Sequence, residues 1–429
     1  MTKIKPFRAV IYNQDKIKDP SRVVCPPYDV ISPKRQQYFH QLDPHNFIHL
    51  SLARSIKGVN KYRRARMTFQ KWLKEKVLIQ DEYPALYLYS QDYKLRGERR
   101  QRWGLIGLLR LQNKDSAVYG HEHTRLEPKA DRLKILKAVK ANLSPIFVLC
   151  RDKKRIIRYS QQHCTDGRKP LFEVTDDEKV AHKLWRIDSP EMIEKIQSAL
   201  EKEDIFIADG HHRYEVACAY RKEKKKRLAS FTGDEDFNYI MAYFTNFESR
   251  DLTILPVHRL VKVKSKFDSE KFMSGLKSYF EVEEYGDAIK FFFLLEKAGK
   301  TEHVIGMYRD NKYWLLRLKN IRILDKTAAD KPREYRSLNV SILNHIILKK
   351  MLDLDLENKE RIAFSPNADE LISKARASDS QIVFFLNPVK VEEIISIALA
   401  GHKMPSKSTY FYPKVLSGLV VNKFLGRKR

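Results

Sequence analysis

Residues Asp204 to Glu215 read Asp-Ile-Phe-Ile-Ala-Asp-Gly-His-His-Arg-Tyr-Glu, and they constrain the fold more than any other segment. Ile205 to Ala208 form a short apolar run of the kind that makes a buried strand. The run stops at Asp209-Gly210, and a helical spacing of Tyr214, Val216, Ala217 and Tyr220 begins directly after it. A strand that turns tightly into a helix brings unpaired backbone N–H groups and the positive end of a helix dipole to one point. With Gly210, His211, His212 and Arg213 at that point, the junction is expected to bind phosphate or another anion. In the competing reading, Asp209 merely caps the helix and both histidines lie on the surface.

The charge balance agrees with an anionic ligand. There are 82 Lys and Arg against 54 Asp and Glu, a formal charge of +28. Such an excess favours nucleotides, nucleic acid, phosphorylated metabolites or an anionic membrane surface. The basic clusters (Arg63 to Arg66, Arg96 to Arg102, Lys153 to Arg155, Lys222 to Arg227) lack the interleaved aromatics on which bases stack. The last of them continues the helix that begins at His211 and reads as a solvated face. Four scattered cysteines, with no Cys-x-x-Cys pair, argue against a disulfide scaffold or a structural zinc site and fit a reducing compartment. The N-terminus lacks a signal-peptide apolar core, and no apolar run approaches the ~18 residues that a membrane helix needs. A cytoplasmic protein without membrane association is expected.

Strand-like and helix-like segments alternate along the chain, which predicts an α/β (α+β) fold. Helices are expected from Ser32-Pro33 to Tyr38, over Tyr62–Lys76, over Pro128–Ala141 and from Ser189-Pro190 onward. Strands are expected over Ala85–Tyr89, Gly104–Leu111 and Ile146–Leu149, and over Asn238–Phe247 and Leu252–Val261 as a pair. Beyond about residue 262 the acid–base clusters thin out. The chain is therefore divided into an N-terminal α/β core, 1–262, carrying the phosphate site, and a C-terminal α/β region, 263–429.

Four further clusters could carry chemistry. In Cys25-Pro26-Pro27-Tyr28-Asp29-Val30-Ile31-Ser32, two prolines stiffen a turn that would hold Tyr28 and Asp29 toward a substrate. In Gly120-His121-Glu122-His123-Thr124, alternation along an extended strand puts His121 and His123 on one face. Together with His211 and His212 they could form a metal site, although an acid–base role for Glu122 or His121 is more economical. Asn142 and Ser144 end a helix before a strand and could reach a ligand, or serve only the turn. Gly401 to Ser408 nearly fits a phosphate loop, but Ser406 replaces the second glycine and a helix-like segment precedes it where a strand is required. The Walker reading is rejected. Lys407 and Ser408, with Lys403 and Thr409, remain as phosphate-capable donors.

In combination these segments resemble a large bacterial and archaeal family known as a domain of unknown function. The resemblance rests on Pro27 to Ser32, His121 to Thr124, Asp131-Arg132, Ala141-Asn142 with Ser144 to Phe147, Ala208 to Tyr214, Leu255-Pro256 with His258-Arg259, and Met404 to Lys414. Asn339 departs from it, standing where an aspartate is expected. The Asp-Gly-His-His-Arg segment in turn is similar to the phosphate-binding signature of the ParB/sulfiredoxin superfamily, which includes nucleotide-dependent kinases of free L-serine. That resemblance implies a mixed-sheet core with nucleotide phosphates at Gly210 to Arg213, and ATP or ADP as phosphoryl donor. It also implies transfer to a small hydroxylated metabolite such as serine. On this reading Asp209 holds Mg²⁺ and takes part in catalysis, and Glu122 or His121 accepts the hydroxyl proton. Tyr28, Asp29, Asn142 and Ser144 would bind the substrate. The alternative is a nucleotide-responsive, nucleic-acid-binding regulator of ParB-like type, for which no helix-turn-helix stands out.

Overall fold

The computed structural model describes residues 2–111, 117–228, 230–264, 267–356, 361–378 and 380–425. They form two compact units. The first comprises residues 1–120, 124–253 and 413–429, and the second 121–123 and 254–412. The compact division thus falls at 253/254, where the sequence suggested 262/263.

The first unit is built on a nine-stranded mixed sheet. Its centre is strand Tyr239–Asn246, buried along all but its last residue. That strand runs parallel to Ile146–Cys150 and antiparallel to Glu98–Arg110. Strand Ile205–Asp209 lies antiparallel to Ile146–Cys150 on one side and parallel to Val118–Gly120 on the other. The mixed α/β class expected from the alternating segments is therefore observed. Strands Leu86–Leu95 and Glu98–Arg110 form a long hairpin. Arg96 and Gly97 turn it in the left-handed region, which matches the twist of paired strands.

The expected helices are present with shifted ends: Pro33–Leu42, Lys61–Lys74, Leu126–Val139 and Pro190–Leu200. Ser32 and Ser189 cap the first and last of these through their hydroxyls. Helix Leu126–Val139 packs between Lys61–Lys74 and His211–Lys226.

The end of the chain returns to this unit. Val421 bridges to Val10, Asn422 pairs with Asn142, and Ser417 pairs with Cys25. The tail is fastened by Arg102, which has no exposed surface. Its Nε donates to Gln91 Oε1 at 3.1 Å and a terminal nitrogen donates to the Pro413 carbonyl. The guanidinium stacks on the Phe147 ring at 4.6 Å. Gln91 Nε2 then donates to the Lys414 carbonyl at 2.9 Å.

The second unit carries a six-stranded antiparallel sheet in the order Phe280–Tyr285, Lys312–Leu318, Val304–Arg309, Gln381–Phe385, His258–Lys262, Ile362–Ser365. Helices Ala288–Ala298 and Ala368–Arg376 bring Phe291, Leu295 and Leu371 onto Val304, Leu315 and Val383. One expectation fails here. Leu252–Val261 is interrupted at Pro256, which has no N–H for a ladder, and it does not pair with Tyr239–Asn246. Its second half, His258–Lys262, pairs instead with Gln381–Phe385 and Ile362–Ser365.

Replacing Arg102 by Met should destabilise the first unit by about 3 kcal/mol, because Gln91 and the Pro413 carbonyl lose a charged donor in a dry site. Urea denaturation measures the loss, and limited proteolysis should cut the tail faster. A change below ~1 kcal/mol would contradict the fastening role.

Candidate anion-binding site

Asp209 ends its strand at a register shift opposite Phe147 and Val148. Gly210 follows with φ of 92°, a left-handed conformation that costs glycine little. A side chain there would have its Cβ 2.8 Å from Ile146 Cγ2 and 3.0 Å from the Arg213 guanidinium. The turn therefore demands glycine twice over. Helix His211–Lys226 begins at the next residue, and Gly210, not Asp209, occupies its N-cap. The carboxylate is turned elsewhere, so the capping reading is set aside. His211 is buried, against the expectation of two surface histidines.

Asp209 sits between two cations. Its Oδ2 is 3.0 Å from Arg213 and its Oδ1 is 3.3 Å from Lys414 Nζ. Burial opposes ionisation, but Lys414 first, then Arg213 and His211, overcome it and hold the carboxyl down at about 2. Arg213 also donates to the Pro145 carbonyl at 2.5 Å and, more weakly, to Ser144 Oγ at 3.4 Å. Its Nε has no hydrogen-bond partner among the described residues. His212 Nε2 accepts from the Arg125 N–H at 3.0 Å, which fixes the ring against the start of the neighbouring helix. Glu215, one turn on, is bound by Thr124 and Lys129.

Beside this cluster lies a small cleft of about 60 Å³. Tyr28, Asn142, Ser144 and Arg213 line it, as do Arg132 and the aliphatic side chains of the two flanking helices. Three of the four residues expected to bind substrate are thus brought together, and Asp29 is exposed on the next position of the Tyr28 turn. Asn142 is partly committed to structure, since its Oδ1 accepts from the Met241 N–H and from Asn422 Nδ2. Arg132 stacks on the Tyr28 ring at 4.1 Å and donates to the Ser51 carbonyl. Burial, then the neighbouring Asp29, pushes the Tyr28 phenol above its usual range, so it stays protonated.

The second unit gathers the other expected residues. His121 is buried, with its Nε2 3.3 Å from Thr409 Oγ1, and the Met404 N–H donates to its carbonyl. Glu122 Oε1 accepts a long bond of 3.5 Å from the Lys407 N–H. Ser408 donates its hydroxyl proton to the Pro405 carbonyl, so that proton closes a turn. His123 is exposed while His121 is buried, so the two imidazoles do not share a face. The segment is irregular here, and the alternation of a regular strand does not apply. Asn339 bonds His303 Nδ1 at 3.2 Å.

The donor set does not fit the expected Mg²⁺ at Asp209. Both carboxylate oxygens already face cations, and no group of three potential ligands occurs among the described residues. The four-histidine metal reading falls on the same ground. Lys414 is the site residue that sequence reasoning passed over. It stood in a recognised segment, but nothing in a sequence shows that position 414 returns to position 209.

The sequence model of one family, the proteins of unknown function DUF1015, matches residues 4–341. This chain belongs to the DUF1015 family. No curated protein matches it. Among solved structures it is similar to a free serine kinase in complex with ADP, at 11% identity and a TM-score of 0.34, over 69% of this chain and 84% of that one. A conserved hypothetical protein from Pyrococcus furiosus gives 11% and 0.33, over 70% and 89%. SbnI with a C-terminal truncation, from Staphylococcus aureus, gives 10% and 0.36, over 73% and 85%. At TM-scores this low the likeness decides neither fold nor chemistry.

The depressed Asp209 pKa gives a signed expectation. The stabilisation that it represents is complete above the unfolded value of about 4 and is lost as pH falls through about 2. Asp209→Asn should be less stable than the parent at pH 7, and the gap should narrow between about pH 4 and pH 2. Urea midpoints across that range measure it. A gap that does not change with pH would show that the carboxylate is not held by its cations.

Proposed function

We propose that this protein is a nucleotide-dependent phosphotransferase that binds the phosphates of ATP or ADP at the first turn of helix His211–Lys226. The acceptor is a small hydroxylated metabolite, with free L-serine, giving O-phosphoserine, the first to try. One observation carries the reading: two cations, Arg213 and Lys414, converge on one carboxylate at the start of a 16-residue helix, beside a cleft. The helix dipole is positive at the same point. Phosphoryl transfer depends mainly on such positioning and charge stabilisation.

The chemistry limits what Asp209 does. A carboxylate held at about 2 is a weak base, so it is a poor acceptor for a hydroxyl proton. Its role in the proposal is to keep Arg213 and Lys414 aligned until a phosphate takes up their donors.

The test is purified protein incubated with ATP or ADP and a pool of amino acids, read by mass spectrometry for a phosphorylated product. Arg213→Ala should abolish nucleotide binding, and Lys414→Ala should weaken it by about 10- to 100-fold, each loss being one charged donor or more. Both variants should stay folded by circular dichroism. Unchanged nucleotide affinity in both would sink the assignment. A DNA mobility shift at physiological salt, with no phosphorylated product, would turn the +28 charge toward the regulatory alternative.

A further inference from the structure

We propose that His40 and His49 form a two-nitrogen site for a divalent metal ion of the zinc kind, held between their Nδ1 atoms. Both residues belong to the first unit, His40 in helix Pro33–Leu42 and His49 in the short helix Ile48–Ser51. Neither is part of the phosphate site.

The count of protons points to a missing cation. His40 Nε2 meets the Leu52 carbonyl at 3.0 Å, and His49 Nε2 meets the Asp43 carbonyl at 3.3 Å. A carbonyl oxygen only accepts, so each Nε2 must carry the hydrogen. Both Nδ1 atoms are then bare lone pairs, and they stand 3.2 Å apart. Three contacts call for three protons, and two neutral imidazoles hold two. The contact between the Nδ1 atoms is closed by a third proton or by a metal ion.

The geometry selects the ion. A shared proton wants its two nitrogens head-on, which at this separation would hold the ring centres roughly 5.5 Å apart. The centres are 4.6 Å apart with the rings at 84°, so the lone pairs meet at an angle. Zinc–nitrogen bonds of about 2.0–2.1 Å in a tetrahedral arrangement set two ligand nitrogens about 3.3 Å apart. The observed 3.2 Å fits that bite. A backbone carbonyl on the far ring nitrogen is also how metal-bound histidines are held in their tautomer and orientation.

The surroundings set the strength. Arg64 acts against added positive charge at both rings and Arg54 at His40, while Asp43 acts for it at His49. No group of three side-chain ligands occurs among the described residues, and the nearby His45 turns its Nδ1 toward Asp43 at 3.6 Å. Water therefore completes the coordination, and the affinity expected is about micromolar. Imidazole nitrogens favour zinc and copper over Mg²⁺, which prefers oxygen.

Calorimetry with Zn²⁺, on protein stripped of metal by a chelator and kept in excess Mg²⁺, tests the site. One ion is expected to bind with a Kd of about 1 µM. His40→Ala and His49→Ala should each weaken it at least about tenfold. His163→Ala, at an exposed histidine elsewhere, should leave it as it was. If His49→Ala fails to fold, His49→Gln keeps an N–H donor for the Asp43 carbonyl, lacks the second ring nitrogen, and should show the same loss. Zinc affinity unchanged in the folded variants would overturn the assignment. So would an equal loss in His163→Ala, or a parent protein that binds no Zn²⁺ more tightly than about 100 µM.

Discussion

The first unit depends on one buried guanidinium. Arg102 has no exposed surface, and a charge in such a place is tolerated only when its donors are met. Gln91, the Pro413 carbonyl and the Phe147 ring meet them. These partners come from a hairpin strand, the chain's tail and a central strand, so one side chain sets their mutual position. Gln91 extends the arrangement by a bond to the Lys414 carbonyl. The ammonium of Lys414 then stands 3.3 Å from Asp209. A core polar network and a largely buried charge cluster are thus one structure.

The Asp209 cluster shows how local and distant chemistry combine. The turn is local: a buried strand, a left-handed glycine and a helix start, all contiguous in sequence. The charge arrangement is not. Arg213 is supplied by the first turn of that helix, whereas Lys414 comes from a segment about 200 residues further along the chain. The glycine's lack of a Cβ links the two, because the space that a Cβ would need is already taken by Ile146 and by the Arg213 guanidinium.

This division explains what was legible in the sequence. Periodicity located the strand and helix around Asp209, the Ser-Pro helix starts and the mixed α/β class, since each is written in neighbouring residues. Pro256 was visible too, but the apolar run around it masked its consequence, and two short strands were read as one. His121 and His123 were placed on one face by a rule that holds only in a regular strand. The Mg²⁺ expectation failed for a different reason. A lone aspartate among basic residues reads equally as a metal ligand or as an ion-pair partner, and only the approach of Lys414 and Arg213 to its two oxygens separates them. Sequence spacing carries no such distance.

The return of residues 413–425 has a consequence for biosynthesis. Contacts between positions 209 and 414, or 10 and 421, join segments made far apart in time. As the ribosome delivers the chain from its N-terminus, the Asp209 turn can form early, but its second cation arrives only when residue 414 emerges. Until then the Asp209 carboxylate is less completely neutralised and Gln91 lacks its tail partner. Completion of the charge cluster therefore waits for residue 414, so nascent chains stalled short of that residue present an unfinished anion site.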